Sequence, residues 1–203
     1  MASRFEKLMQ KAEKQTLSVA LAAALREAVV ADDTELATWL RLELLGYVEG
    51  TPGFTDQTVP NYRAVKGQWC DEFRRPLVIT DPEQQYLNEA GLRAGVTELE
   101  SIASAQGQVV MGFPELALII RHNFGAEVSQ FRFSPQSVAQ VLANIRAQLI
   151  NHLATHRHQL EEVSTAVYGR QGEEIIELRP NFYGIGINLK ALWRKIRSLP
   201  DGE

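Results

Sequence analysis

The chain has little of what marks secreted, membrane-spanning or nucleic-acid-binding proteins. Its 203 residues include a single cysteine, Cys70, which excludes an intramolecular disulfide and a cysteine-based zinc site within one chain. No run approaches the roughly 18 apolar residues of a membrane-spanning helix, and the N-terminal residues lack the apolar core of a signal peptide. The formal charge of −4 gives no overall attraction for nucleic acid or anionic lipid. These absences predict a cytoplasmic protein.

The composition is that of an ordinary folded domain. Hydrophobic residues make up 45% of the sequence and charged residues 23%, and the mean hydropathy is −0.18, so the chain can bury a proper core. Glycines at positions 169 and 172 interrupt the last long helical pattern. We therefore predict one domain over residues 1–168, followed by a linker or strand and a basic amphipathic helix over residues 169–203.

Helical periodicity dominates the predicted domain. Asp32 and Glu35 have capping-box spacing at the start of one helix, and Gly46 is expected to end that helix in a left-handed conformation. With the alanine-rich helix before it, this helix should form an antiparallel hairpin through a very short turn. The other predicted helices cover residues 4–14, 17–31, 82–91, 96–102, 113–122, 135–164 and 187–199.

The strand-like segments are short and few. They cover residues 62–69, 76–80, 129–133 and 174–178, and Cys70 is expected at a strand edge without any nucleophile motif around it. The fold class that follows is α+β and predominantly helical. In it, the helical hairpin and a long helix in the C-terminal half pack on a small antiparallel sheet.

Several residue pairs occur along the chain in a characteristic order. The most specific are Trp39-Leu40, Glu43-Leu44, Gly46-Tyr47 and Tyr62-Arg63. Softer matches are the alanine-rich second helix, Pro60, the segment 95–100, Ser134-Pro135 and Ile145-Arg146. Over roughly residues 1–163 this pattern resembles the AbiTii domain of bacterial abortive-infection proteins. The resemblance implies a role in defence against phage, by which an infected cell stops supporting replication. It implies no known reaction and no catalytic residues.

Trp39, Tyr47, Tyr62 and Arg63 are the first candidates for binding. A Tyr-Arg pair after a proline, close to a Gly-Tyr helix end, could line a ligand pocket or stack on a base. The alternative is structural, with Trp39 and Tyr47 in the core and Arg63 paired to Glu43, because buried arginines near carboxylates usually satisfy each other.

The 135–164 helix carries the only candidates for catalysis. The spacing of Arg146 and His152 resembles the loose arginine–histidine motif of HEPN-type ribonucleases, in which arginine would hold the scissile phosphate and histidine would move a proton. The match departs from the pattern at Ala147, where a polar residue usually follows the arginine. His152 and His156 have a spacing that can bind a metal, but without further ligands we expect a solvated helical face. The sequence thus predicts no metal and no cofactor.

The predicted C-terminal helix is the most distinctive surface element. Its basic and aromatic residues are Lys190, Trp193, Arg194, Lys195 and Arg197. Taking four positive charges from the total of −4 leaves −8 on the rest of the chain. Such a helix can lie in a membrane interface, bind a protein partner or a second copy, or pack back on the acidic body. We take Lys190, Trp193, Arg194 and Arg197 as its binding residues.

Together these patterns predict a bacterial defence component that acts by partner recognition or self-assembly rather than by catalysis. A protein partner or homo-oligomer is expected, with a membrane surface as the alternative for residues 187–199 and nucleic acid as the less favoured partner. The alternative functions are a HEPN-like ribonuclease using Arg146 and His152, and a membrane-perturbing effector.

Overall fold

The computed structural model describes residues 4–55 and 59–161. The helices in these ranges are α1 (Arg4–Lys14), α2 (Leu17–Val30), α3 (Thr34–Leu45), α4 (Val96–Ala103), α5 (Pro114–Phe124), α6 (Pro135–Thr155) and two 3-10 helices (Asn61–Arg63 and Pro82–Asn88). The strands are β1 (Ala64–Lys66), β2 (Gln68–Cys70), β3 (Pro76–Leu77), β4 (Glu89–Gly91), β5 (Val109–Met111) and β6 (Gln130–Phe133). This arrangement confirms the predicted α+β, predominantly helical fold class.

The predicted elements near the C-terminus lie outside the described residues. The boundary near residue 168, the strand at 174–178 and the helix at 187–199 all fall there. So do the four predicted binding residues of that helix, Lys190, Trp193, Arg194 and Arg197. These assignments remain predictions.

Helices α2 and α3 form the predicted hairpin. Residues 31–33 alone connect them, and each helix buries an apolar stripe completely, including Leu21 and Ala24 on α2 and Leu36 and Leu40 on α3. Alanines on α2 let the two helix backbones approach closely, because their side chains add little bulk at the contact. The hairpin therefore forms a large part of the core.

The start of α3 differs from the prediction by one residue. The N-terminal cap is Asp33, whose carboxylate accepts the backbone N–H of Leu36 at 3.0 Å. Asp32 lies in the turn before it with a φ of 54°, a left-handed conformation that does not place its side chain as a cap. The predicted capping box of Asp32 and Glu35 is wrong, because the tight turn shifts the helix start.

The strands form two antiparallel sheets. The larger has the order β3-β2-β6-β5, and β1 pairs with β4 in the smaller. Trp69 on β2 lies opposite Phe131 on β6, their ring centroids are 5.0 Å apart, and the Trp69 indole donates to the Leu87 carbonyl at 2.7 Å. Cys70, predicted at a strand edge, is the last residue of β2 and is buried.

Several predicted boundaries in the middle of the chain are wrong. The predicted strand at 62–69 is a 3-10 turn followed by β1 and β2, which belong to different sheets. The strand predicted at 76–80 is only Pro76–Leu77, and the helix predicted at 82–91 is a 3-10 helix to Asn88 followed by β4. Strand β5 was not predicted. Pairing with distant strands, rather than local periodicity, defines these short elements.

Helix α6 is the longest described helix. It begins with Pro135 after the cap Ser134, which accepts the Ser137 backbone N–H at 3.3 Å, and it contacts α1, α2, α4, β1 and the 61–63 turn. It ends at Thr155, whereas the sequence predicted a continuous helix to about residue 164. His156 leaves the helical conformation with φ of −90° and ψ of 11°, and helical geometry resumes at residues 157–161.

Candidate functional site

The Glu43 carboxylate lies at the centre of a buried polar network near the end of α3. Its Oε2 accepts Arg63 Nη1 at 2.8 Å, and its Oε1 accepts the hydroxyls of Tyr47 and Tyr62, each at 2.7 Å. Glu43 and Arg63 are fully buried. A buried carboxylate is tolerated only when it is paired and hydrogen-bonded, because it has lost its hydration. Here both of its oxygens are satisfied.

All three nitrogens of the Arg63 guanidinium are engaged. Besides Glu43, Nε donates to the Leu92 carbonyl at 2.9 Å, and Nη2 donates to the Ala94 carbonyl. The guanidinium carbon lies 4.9 Å from the centre of the Tyr47 ring, a cation–π distance. The pairing of Arg63 with Glu43, which the structural alternative proposed, is thus present. Arg63 could bind an external phosphate or carboxylate only by giving up these contacts.

A close contact between two glycines brings the Leu92 and Ala94 carbonyls to Arg63. Gly46 has φ of 98° and ψ of 164°, and a Cβ there would lie 2.6 Å from the Arg93 carbonyl oxygen. A Cβ on Gly95 would likewise collide with the Leu44 carbonyl oxygen. Gly46 was predicted to be a left-handed helical cap; it is extended with positive φ, because it leaves the helix directly into a bridge with Ala94. Only glycine fits both positions.

The tyrosine hydroxyls in the network are held in their neutral form. Burial, followed by the negative charge of Glu43, raises the pKa of Tyr62 to about 12. The same two causes raise the pKa of Tyr47 further above its ordinary value. Both phenols therefore act as hydrogen-bond donors to Glu43 at physiological pH. Neither is suited to act as a general base there.

Trp39 connects this network to α6. Its indole donates to the Tyr62 hydroxyl at 3.0 Å, and its ring lies 4.3 Å from the His152 ring at an angle of 31°. The Asn144 amide on α6 donates to the Tyr62 backbone carbonyl at 3.2 Å. Burial lowers the pKa of His152, and the neighbouring His156 lowers it further. His152 was predicted on a solvated face; it is half-buried against Trp39 instead.

His156 forms a second contact between α6 and the hairpin. Its Nδ1 lies 2.5 Å from Asp33 Oδ2, and both side chains are largely buried. Asp33 also caps α3, so one carboxylate serves the helix start and the histidine. This contact was not predicted, because the two residues are 123 positions apart.

Arg146, the other ribonuclease candidate, has a different set of partners. Its guanidinium donates to the Ala12 carbonyl and, at 2.8 Å, to the Gln15 carbonyl. These carbonyls lie at the end of α1 and in its connection to α2, so Arg146 ties α6 to the N-terminal helices. His152 faces Trp39 instead. Arg146 and His152 therefore hold separate structural contacts, Arg146 with the end of α1 and the connection after it, and His152 with Trp39 on α3.

In the described ranges, no group of three or more histidine, cysteine, aspartate or glutamate side chains is placed to hold a metal ion. None of the helices within residues 4–55 and 59–161 is long and apolar enough to cross a membrane.

Trp39, Tyr47, Tyr62 and Arg63, which the sequence pattern groups as binding candidates, are neighbours in the structure, and Glu43 connects them. Glu43 follows Leu36 and Leu40 at helical spacing, on the apolar stripe of α3. A charged residue in such a stripe is a signal for a buried pair. The backbone carbonyls that complete the site had no signal in the sequence.

Comparison with protein families identifies a match. A model of the AbiTii family covers residues 5–170, a range that includes the hairpin, both sheets and the whole polar network. No curated protein matches the chain, and no solved structure matches it. The chain therefore belongs to the AbiTii family, and this membership indicates a role in abortive infection, a bacterial defence against phage.

Proposed function

We propose that this AbiTii chain acts in phage defence by binding a protein partner or further copies of itself, and not by catalysing a reaction. The observation that carries the proposal is the closed network around Glu43. Its charged groups, Glu43 and Arg63, are fully buried and satisfy each other. Groups that take part in catalysis need to reach a substrate, and these two cannot do so without losing their partners.

The network supports a binding role because it makes one region of the surface rigid. It ties α3, the 61–63 turn and the segment 92–95 to one another through buried hydrogen bonds. Trp39 and Tyr62 are only partly buried, so they offer aromatic surface at the edge of the network. Tyr62 is held by its hydrogen bond to Glu43, and Trp39 by its hydrogen bond to Tyr62. A rigid aromatic surface of this kind binds with little loss of side-chain entropy.

The basic C-terminal helix supplies the second contact in this proposal. The four positive charges predicted for this helix contrast with a net charge of −8 on the remainder of the chain, since −4 minus 4 is −8. Opposite charges on two parts of one chain favour contact between copies as well as within a copy. Lys190, Arg194 and Arg197 would make the ionic contacts, and Trp193 would be the apolar anchor. We place this assembly in the cytoplasm.

Phage plating on producing cells tests the proposal. The variant Lys190→Gln, Arg194→Gln, Lys195→Gln, Arg197→Gln removes the four C-terminal charges, and we expect it to lose protection. A matched control removes four exposed charges from the body by Lys7→Gln, Lys11→Gln, Lys14→Gln and Lys66→Gln, and it should protect as wild type does. Undiminished protection by the C-terminal variant, at equal protein levels, would contradict the proposal.

A further inference from the structure

The two edges of the four-stranded sheet are built differently. Among the described strands, β3 and β5 are its edges. Edge strands usually carry proline or charge, because unpaired backbone groups recruit other strands. The β3 edge follows this rule, since Pro76 lies in the strand and Arg74 and Arg75 precede it. The β5 edge does not follow it: residues 106–112 read Gln-Gly-Gln-Val-Val-Met-Gly, without a charge or a proline.

Exposed apolar side chains lie on this edge strand and on the helix that follows it. Val110, in the middle of β5, is 49% exposed. Helix α5 begins three residues after β5 and buries only Ile120 completely. It leaves Leu118 65% exposed and Ile119 partly exposed. An open groove of about 450 Å³ runs beside Leu118. Exposed apolar side chains are candidates for an interaction site.

The charges around this surface favour a second copy as its partner. Arg93 lies 3.7 Å from Glu115, and Arg121 lies 3.4 Å from Glu127, so Glu115 and Arg121 on α5 each lie near an exposed opposite charge. These four charges have both signs and cancel, and β5 itself is neutral. Two identical surfaces of this composition do not repel each other. A neutral apolar centre with a mixed polar rim is the usual anatomy of a homodimer interface.

We propose that β5 pairs in antiparallel fashion with β5 of a second copy, about a two-fold axis at Val110. The pairing joins two four-stranded sheets into one of eight strands. Antiparallel pairing of a strand with itself is symmetric, so each copy contributes the same residues and the assembly closes as a dimer. This inference deepens the proposed function and rests on it for its biological role, since self-assembly is one of the two binding modes given there.

The symmetric register places Val110 directly opposite Val110 of the second copy, where side chains approach within about 5 Å. Val110→Glu therefore sets two carboxylates against each other in the dimer. A single copy tolerates this change, because the Val110 side chain is 49% exposed. The control Val78→Glu introduces the same charge at a position that is 68% exposed, next to the β3 edge with its proline and arginines.

The test is the mass of the full-length protein by light scattering, from about 1 to about 100 µM, the range in which small interfaces associate. Wild type and Val78→Glu should have twice the 22.7 kDa of one chain, and Val110→Glu should have the mass of one chain. Val110→Lys alone should also be a single chain. An equimolar mixture of Val110→Lys and Val110→Glu should regain the doubled mass, because the opposite residues now attract.

A single-chain mass for wild type, or equal masses for Val110→Glu and Val78→Glu, would overturn this inference. A mixture of the two charged variants that keeps the mass of one chain would also overturn it. These results are separable from the test of function. If the wild type is a monomer and the C-terminal substitutions still abolish its protection, partner recognition is supported and only the β5 dimer is contradicted. If the wild type is a dimer through β5 and its protection survives those substitutions, the dimer is supported and the role proposed for the basic helix is contradicted.

Discussion

Arg63 Nη1 lies 2.8 Å from Glu43 Oε2, with both side chains fully buried. This pair joins helix α3 to the turn at 61–63, and through the Arg63 contacts to Leu92 and Ala94 it reaches the segment before α4. Three parts of the chain that are distant in sequence meet at one ion pair. The stability and the surface geometry of this region therefore depend on it.

Glu43→Gln should destabilise the protein strongly, because it leaves the Arg63 charge buried without a counter-ion. Breaking a buried pair in this way costs about 3–5 kcal/mol. For a chain of this size each kcal/mol lowers the melting temperature by about 2–4 °C. Thermal unfolding followed by circular dichroism measures the change. The control is Glu89→Gln, which removes a carboxylate 3.5 Å from Lys66 at an exposed site and should shift stability by less than about 0.5 kcal/mol. Similar shifts in the two variants would contradict the account.

Because the pKa values of the network tyrosines are raised, we expect the protein to lose stability at alkaline pH. Because the folded protein raises the pKa of Tyr62 from 10.0 to about 12, it favours the neutral phenol more than the unfolded chain does. Its contribution to stability is complete below pH 10 and is lost as the pH rises toward 12. Unfolding free energies measured at a series of alkaline pH values should fall less steeply in Tyr62→Phe than in wild type. Tyr86→Phe, at an exposed position, should follow wild type, and a parallel fall in all three proteins would count against the assignment.

From the lowered pKa of His152 we expect stability to be lost at acidic pH. Burial and the neighbouring His156 lower its pKa in the folded protein below the ordinary 6.5, although Glu35, Glu43 and Asp33 act weakly in the other direction. The unfolded chain then binds the proton more readily, so the contribution of neutral His152 is present above pH 6.5 and is lost as the pH falls below it. His152→Gln should be less sensitive to pH between about 7 and 5 in urea unfolding. His122→Gln, on the exposed side of α5, is the control and should behave as wild type.

The glycine contact gives a steric prediction. Gly95→Ala places a methyl group against the Leu44 carbonyl oxygen, and the backbone on both sides must move apart. Forcing extra volume into such a contact costs about 1–3 kcal/mol, and it should also weaken the carbonyl contacts of Arg63. Gly112→Ala, where a Cβ meets nothing within 4 Å, should be nearly neutral. Chemical denaturation measures the free energy of unfolding of both variants. A Gly95→Ala variant as stable as wild type would show that the two segments are not held together as described.

The sequence predicted the parts of this fold that carry a local signal. Helical periodicity and the Ser134-Pro135 start were enough to find the hairpin and α6, and the apolar alternation at 129–133 found β6. Strands β4 and β5 have three residues each, too few for any period to emerge, and their partners lie far along the chain. The contacts of the candidate site likewise divide into those with a signal in the sequence and those without one. The pairing of Arg63 with Glu43 was open to prediction from residue types, whereas the carbonyls of Leu92 and Ala94 and the His156–Asp33 contact depend on tertiary placement alone.

Phage protection by the full-length His152→Gln variant tests most directly whether this protein acts by binding rather than by catalysis. Glutamine preserves a polar side chain on α6 but cannot move a proton near neutral pH, so it would abolish a ribonuclease in which histidine is the acid or base. The account predicts that phage plate on cells producing His152→Gln as poorly as on cells producing wild type at the same protein level. Loss of protection in this variant, together with RNA cleavage by the purified wild-type protein and not by the variant, would contradict it.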